Sequence, residues 1–403
     1  MFFSGGHRRG KIYDTYVLLH WLRWINCVAL LLYFEHDCPM KIGIYARGLS
    51  GIGGVKQYID AMCRALVEQI DSRHELFIFH NCPAEYFHFE QPFVHEVLLA
   101  SRNRMVCDFV LAPQKINELN LDCVWFTKYV IPFGIGTRAI VTVHDMAYFI
   151  PELDAYTLQD TLYMRTLIRN SCRRADTVIA VSRNTRDDLV RILDIDPEKI
   201  VVVHEAADAK YRVIRDKPRE QEFLRKYNID FKYILFTGGI SPRKNLRRLI
   251  LAFDSLGDRF PHKLVLTGGK GWKNREIIEA IKGNSRIVQL GFVDDEDMPL
   301  LYNCADLFVY PSLYEGFGLP ILEAQSCDCP VVCSRNSSLV EVGGDSVHAI
   351  DAQDVESICD GIAQVLGDQS TRKKLIRRGR KNVASYSWEK AAIDLLSIMT
   401  ETA

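Results

Sequence analysis

The 403-residue sequence contains no Cys-x-x-Cys pair and no Cys/His spacing of the zinc-binding kind, which removes the usual structural-zinc and dithiol-redox readings. Its twelve cysteines are scattered and read as reduced, mostly buried small hydrophobes of a cytoplasmic protein. The tightest group, Cys327, Cys329 and Cys333, spans a helix-to-strand connection. An excess of charge is missing too. Fifty basic residues against 51 acidic ones leave a net charge of −1, so no overall field marks a nucleic-acid partner. Nor is there a long apolar run. Residues 16–34 are broken by His20, Arg23 and Asn26, whereas a spanning helix takes about 20 consecutive apolar residues. Glu35-His36-Asp37-Cys38 offers no small-residue cleavage site for a secretory leader. Residues 1–39 are expected to form an extension outside the fold, with an interfacial membrane helix as the sharper alternative.

With 48% hydrophobic and 25% charged residues the composition is that of an ordinary globular protein, and the length suits two domains of roughly 100 to 200 residues. From Met40 the chain alternates short β-rich apolar runs with loops and helical patterns, the signature of an α/β protein with parallel sheets. Strands are predicted over 42–45, 76–80, 139–143, 177–181 and 200–204, then over 233–237, 264–267, 287–290, 306–310 and 331–334. The charged stretch 210–228, with Pro218 inside it, reads as a linker and the first helix of a second domain. The expected division is a Rossmann-like domain over 40–212, a second over 213–386, and a terminal helix over 387–403. Ser387 is the expected N-cap of that helix, with Ala391, Leu395 and Met399 along one face. Residues 372–381 carry seven Lys or Arg side chains, read as a solvated helix face with a polyanion site as the alternative.

In open parallel sheets, ligands bind beyond the carboxyl ends of the strands, where helix N-termini and loop amides converge. Five such loops hold suggestive residues. In Gly51-Ile52-Gly53-Gly54, Gly53 and Gly54 either let backbone amides approach a phosphate or make a tight turn. The second strand ends in His80-Asn81 and lacks the acid with which a dinucleotide site holds a ribose, which weighs against a dehydrogenase. Thr142-Val143-His144-Asp145 sets His144 at a strand end, able to bond a substrate hydroxyl or to pair structurally with Asp145. Thr237-Gly238-Gly239-Ile240-Ser241-Pro242-Arg243-Lys244-Asn245 joins amide-exposing glycines, Gly239 among them, to two cations at the mouth of a helix. That helix end already carries roughly half a positive charge, so something anionic should offset Arg243 and Lys244, and a diphosphate fits. Gly268-Gly269-Lys270-Gly271 suits backbone approach to a planar base or a surface turn.

The most specific stretch is Pro311-Ser312-Leu313-Tyr314-Glu315-Gly316-Phe317-Gly318-Leu319-Pro320-Ile321-Leu322-Glu323-Ala324. Pro320 fits the first helical position, and the glycines leave the amides of this helix start free for an anion. Glu315 in the loop and Glu323 one turn into the helix would be repelled by a diphosphate unless they accept hydrogen bonds from hydroxyls. Phosphate and polyol together describe a nucleotide sugar.

At these residues the chain resembles the retaining glycosyltransferases of family 4, whose GT-B fold sets two Rossmann-like domains facing each other across a cleft. The spacing from Glu315 to Glu323 matches the family's Glu-x7-Glu motif, and the likeness runs from about Met40 to the end. The resemblance implies that Arg243 and Lys244 hold the donor diphosphate and support its departure. It likewise implies that Glu323 holds the ribose, that Glu315 and His144 contact the transferred sugar, and that Gly53 and Gly54 lie beside the phosphates. Gly239, Gly316, Phe317, Gly318 and Leu319 complete the expected substrate-binding set. The implied reaction moves a hexose, with a lean to mannose, from a nucleoside-diphosphate sugar to a growing surface polysaccharide or lipid-linked glycan. No cofactor, metal or nucleic acid is implied, and peripheral contact with the inner face of a membrane is compatible with such an acceptor. Asp194-Ile195-Asp196 and Asp295-Glu296-Asp297 precede helical patterns and read as turns or caps. Where relatives often have Asn-Gly-Val-Asp, this chain has Glu205-Ala206-Ala207-Asp208, and Glu205 receives no role. A sugar-nucleotide 2-epimerase of the same architecture and a non-catalytic nucleotide-sugar-binding protein are the alternatives.

Overall fold

The computed structural model describes residues 39–401, apart from positions 50, 52, 102 and 270–274. The expectations for residues 1–38, and for Lys270 and Gly271 of the fourth loop, lie outside the described residues. The first sheet comprises β1 (Lys41–Tyr45), β2 (Glu75–His80), β3 (Val94–Leu98), β4 (Cys123–Phe126), β5 (Arg138–Val143), β6 (Thr177–Ala180) and β7 (Ile200–Val202). Its order is β3-β2-β1-β4-β5-β6-β7. The second comprises β8 (Tyr233–Thr237), β9 (Lys263–Thr267), β10 (Ile287–Gly291), β11 (Leu307–Tyr310), β12 (Val331–Ser334) and β13 (His348–Ile350), in the order β10-β9-β8-β11-β12-β13. Every neighbouring pair runs parallel.

Strands covered by helices on both faces need apolar side chains on both faces. The β8 residues Tyr-Ile-Leu-Phe-Thr and the β4 residues Cys-Val-Trp-Phe are accordingly buried throughout. Gly43 of β1 sits in register between Phe77 of β2 and Val124 of β4, and a Cβ there would stand 2.7 Å from Leu121 Cδ1. Each sheet reverses its strand order beside its own first strand, between β1 and β4 and between β8 and β11. At such a switch point the flanking loops leave on opposite sides and open a crevice.

The ten predicted strands all form, with β6 and β7 ending earlier, at Ala180 and Val202. Three further strands were not predicted. β3 and β13 are sheet edges with polar residues among the apolar ones, and β4 is a four-residue run in the middle of the first sheet.

After β7 the chain crosses to the second sheet, and the helix Lys217–Lys226 starts on an Asp216 cap, whose side chain accepts from the Arg219 amide at 3.1 Å. At the far end, Ser387 accepts from the Lys390 amide at 3.2 Å and starts the helix Trp388–Thr400. This helix returns to the first sheet's opening helix, Gly54–Gln69. Ala391, Leu395 and Met399 join Tyr58 and Met62 in one apolar cluster, and Trp388 meets the Tyr58 ring at 5.8 Å. The basic helix Gln369–Val383 is tied down by its own cations: Arg372 pairs with Asp306 at 2.8 Å, Arg378 with Asp345 at 3.4 Å, and Arg380 with Asp328 at 2.7 Å. These three pairs are structural ties and use three of the seven cations.

Candidate active site

The carboxyl ends of both sheets point into one cleft of about 570 Å³. The first sheet supplies Gly53 and Gly54 after β1, His144 and Asp145 after β5, and Glu205 after β7. The second supplies Gly238, Gly239, Arg243 and Lys244 after β8, Gly268 and Gly269 after β9, and residues 315–320 with Glu323 after β11. All twelve residues singled out for the site in the sequence line this cavity.

The two loops at the second switch point are built as a unit. Gly238 takes φ +140°, a turn that a side chain disfavours, and a short helical turn over Pro242–Lys244 then aims both cations inward. Asn245 locks this turn, its buried amide donating to the Pro311 carbonyl at 3.0 Å and the Ala352 carbonyl at 2.6 Å. The Leu313 amide donates to the Arg243 carbonyl at 2.8 Å. On the neighbouring side, a Cβ on Gly268 would stand 2.2 Å from the Gly238 carbonyl oxygen, so these two loops touch only as glycines.

The anion that offsets the cationic couplet here is Glu315. Arg243 Nη1 donates to its Oε2 at 3.0 Å and Lys244 Nζ to its Oε1 at 2.8 Å, while Lys244 also donates to the Tyr310 hydroxyl at 2.7 Å. Asp145, from the opposite sheet, lies 3.9 Å from the same guanidinium. Burial would raise the Glu315 carboxyl, but Arg243 and Lys244 outweigh it and hold the pKa at about 2. Burial lowers Lys244, against the pull of Glu315. The resemblance had given Glu315 to sugar hydroxyls; the structure shows it first as the counter-charge of the couplet.

Glu323 differs in kind. Its Oε2 accepts from the Tyr302 hydroxyl at 2.8 Å, with Thr237 behind that tyrosine at 3.1 Å. Burial raises its pKa to about 7, partly offset by the Tyr302 hydrogen bond. The helix Leu319–Ser326 places it one turn in, behind Gly318 at φ +119°, with Pro320 as its second residue.

His144 joins the two halves of the cleft. Its Nε2 lies 2.9 Å from the Thr127 carbonyl, which can only accept, so Nε2 carries the proton and Nδ1 faces Glu205 Oε1 at 3.6 Å. Gly316 fits against this strand end because a Cβ on it would stand 1.7 Å from the His144 carbonyl oxygen. Ser182 and Thr185 donate to the Gly316 carbonyl at 2.6 and 3.2 Å, and Tyr314 donates to Asp188 at 2.8 Å, all across the two sheets.

Sequence reasoning missed Asp145 as a lining residue, Glu205, and Asp295, which lines the cleft and pairs with Lys210 at 2.5 Å. The strand-end rule that singled out His144 applies equally to Glu205, just past β7. Among the described residues, no group of three or more His, Cys, Asp or Glu side chains is arranged to hold a metal ion, and no helix is long and apolar enough to cross a membrane.

Residues 52–211 match the model of Glycosyltransferase Family 4, and residues 219–382 that of Glycosyl transferases group 1. The O-antigen chain mannosyltransferase B of Escherichia coli is 38% identical over 260 residues, 62% of this chain and 67% of that protein. The serotype-specific mannosyltransferase WbdA of Escherichia coli is 27% identical over 373 residues, 89% of this chain but only 44% of that longer protein. Among solved structures, Anabaena Alr3699/HepE in complex with UDP-glucose has a TM-score of 0.70 at 17% identity, covering 89% of this chain and 100% of that one, so the two share the two-domain GT-B fold.

Proposed function

Because the chain belongs to glycosyltransferase family 4, we propose that it moves a hexose from a nucleoside-diphosphate sugar to a hydroxyl on a growing polysaccharide or lipid-linked glycan, with retention of anomeric configuration. Mannose is the favoured sugar, in keeping with the mannosyltransferases it resembles. The observation that carries the reading is the buried joint of Arg243, Lys244 and Glu315 at the mouth of the second switch point.

In this reading the nucleotide lies on the second sheet's loops, Glu323 accepting from the ribose hydroxyls, and residues 213–386 form the donor domain. Residues 40–212 form the acceptor domain, which the terminal helix Trp388–Thr400 ties to the rest. As the glycosidic bond breaks, negative charge grows on the leaving diphosphate and positive character on the anomeric carbon. Arg243, Lys244 and the amides at the Gly318 helix start stabilise the former, and the carboxylates of Glu315 and Asp145 the latter. Two cations fixed by the fold supply the charge that a metal would otherwise bring, so the transfer runs without one. The acceptor hydroxyl attacks from the face the diphosphate leaves, passing its proton to a departing phosphate oxygen, which preserves the anomeric configuration. Closure of the sheets over the donor keeps water from taking the acceptor's place.

The test incubates the protein with UDP- and GDP-linked hexoses, with and without a lipid-linked oligosaccharide acceptor. Acceptor-dependent release of the nucleoside diphosphate, with an α-linked product from an α-linked donor, is the expected result. An epimerised sugar nucleotide with no glycoside formed would move the assignment to an isomerase.

A further inference from the structure

The cleft contains a buried acid that this mechanism leaves idle. Glu205 follows β7 and is 5% exposed, yet its carboxylate lines the cavity beside His144 and Asp145. Its nearest basic atom is His144 Nδ1 at 3.6 Å, beyond the usual hydrogen-bond range of about 2.7 to 3.2 Å. The ring cannot swing closer. Thr127 holds Nε2 at 2.9 Å, and the edges of Tyr58 and Tyr129 flank the imidazole with centroids 4.8 and 5.6 Å away. Asp145 and Tyr58 also face the carboxylate, and neither is a cation. Burial raises the Glu205 carboxyl and His144 opposes the rise.

A buried carboxyl with a stretched partner is costly unless something completes its hydrogen bonding. Two atoms 3.6 Å apart can share one oxygen between them, each within hydrogen-bond reach. A phosphate oxygen would be repelled by the acid; a hydroxyl is not. With a single proton shared by acid and ring, the hydroxyl is satisfied in either arrangement. It receives Nδ1–H and donates to the carboxylate, or receives the carboxyl O–H and donates to Nδ1.

Resting on the glycosyl-transfer reading above, we propose that Glu205 and His144 form a hydroxyl clamp that grips one hydroxyl of the transferred hexose, with Glu205 a sugar-binding residue of the donor subsite. The clamp lies on the first sheet and its carboxylate repels phosphate oxygens, so it acts on the sugar and not on the diphosphate.

The test titrates UDP, GDP, UDP-glucose and GDP-mannose into the wild type, Glu205→Ala and Glu205→Gln, with the free diphosphates reporting whether each variant keeps its folded cleft. The expected result is unchanged affinity for the free diphosphate in all three chains. The intact sugar nucleotide should bind Glu205→Ala roughly 10- to 100-fold more weakly, and Glu205→Gln, which keeps the hydrogen-bonding shape, should recover most of that loss. Sugar-nucleotide affinity unchanged in Glu205→Ala overturns the clamp. So does an equal loss for diphosphate and sugar nucleotide, which would assign Glu205 to the architecture of the cleft. A wild type that binds none of the four ligands fails the glycosyl-transfer reading itself, and the clamp with it.

Discussion

The carbonyl oxygen of His144 occupies the space that a side chain on Gly316 would need, at 1.7 Å from the Cβ position. The contact joins a strand end of the first sheet to the loop after β11 of the second, and the hydroxyls of Ser182 and Thr185 hold the same glycine by its carbonyl. Gly316→Ala should wedge the two sheets apart. The expected outcome is transfer reduced by about 10²-fold or more with nucleoside-diphosphate binding retained, since misplacement by an ångström is enough to cost that factor. Steady-state rates set beside calorimetric titration of the diphosphate check it.

On the proposed mechanism, removing Arg243 or Lys244 takes away a preorganised charge at the leaving group. Arg243→Ala and Lys244→Ala should each lower the transfer rate by about 10² to 10³-fold, the loss typical of one oxyanion-stabilising donor. The combination with Glu315→Ala should fall well short of the product of the single effects, because the three side chains form one ion-paired unit. Rates of the single and double variants measure the coupling.

Glu315→Gln takes the shared counter-charge from two buried cations and leaves Arg243 the more distant Asp145 at 3.9 Å. Breaking such a pair costs about 3 to 5 kcal/mol, so the unliganded variant should melt well below the wild type. On the proposed placement of the donor, a bound diphosphate resupplies negative charge at the same point. The stabilisation by UDP or GDP should therefore be larger in the variant than in the wild type, as melting curves with and without nucleotide would record.

The two motif acids should bend the pH profile of stability in opposite directions. Glu323, raised to about 7, stays protonated in the folded protein where the unfolded chain has ionised, so its contribution is full below about 4.5 and is lost as the pH rises through 7. Glu315, held at about 2, contributes above about 4.5 and loses that contribution as the pH falls toward 2. Denaturant titrations from pH 4 to 8 should show a smaller neutral-side loss in Glu323→Gln than in the wild type, the remainder including the buried Glu205.

How much of this was legible in the sequence depends on what each residue's neighbours are. Strands such as β8 and β11 are apolar on both faces and stand out as runs, and the loops after them carry glycines and charges. Position and residue type therefore single out Arg243, Lys244, Glu315 and Glu323, while their specific donor-contact roles come from the family resemblance. β4 was hidden because four apolar residues following a polar helix are too short to separate from a helix end. β3, with His95 and Glu96 in the middle, depends on its neighbour β2 to be a strand at all. The pairing of Glu315 with the two cations was not legible, since it needs the loops after β8 and β11 to be stitched together through Asn245. Glu205 escaped because a lone acid at a strand end gains meaning only beside His144.

The chain passes between the two sheets twice, once after β7 and again just before the helix Trp388–Thr400. His204, on the first pass, and Tyr386, on the second, have ring centroids 5.7 Å apart, with Phe317 against both. Two adjacent straps work like the knuckles of a door hinge: swinging about the line that joins them bends both a little, whereas sliding one sheet past the other would stretch both. A swing of one sheet against the other would thus follow one preferred arc, and a change made on either strap would alter that swing.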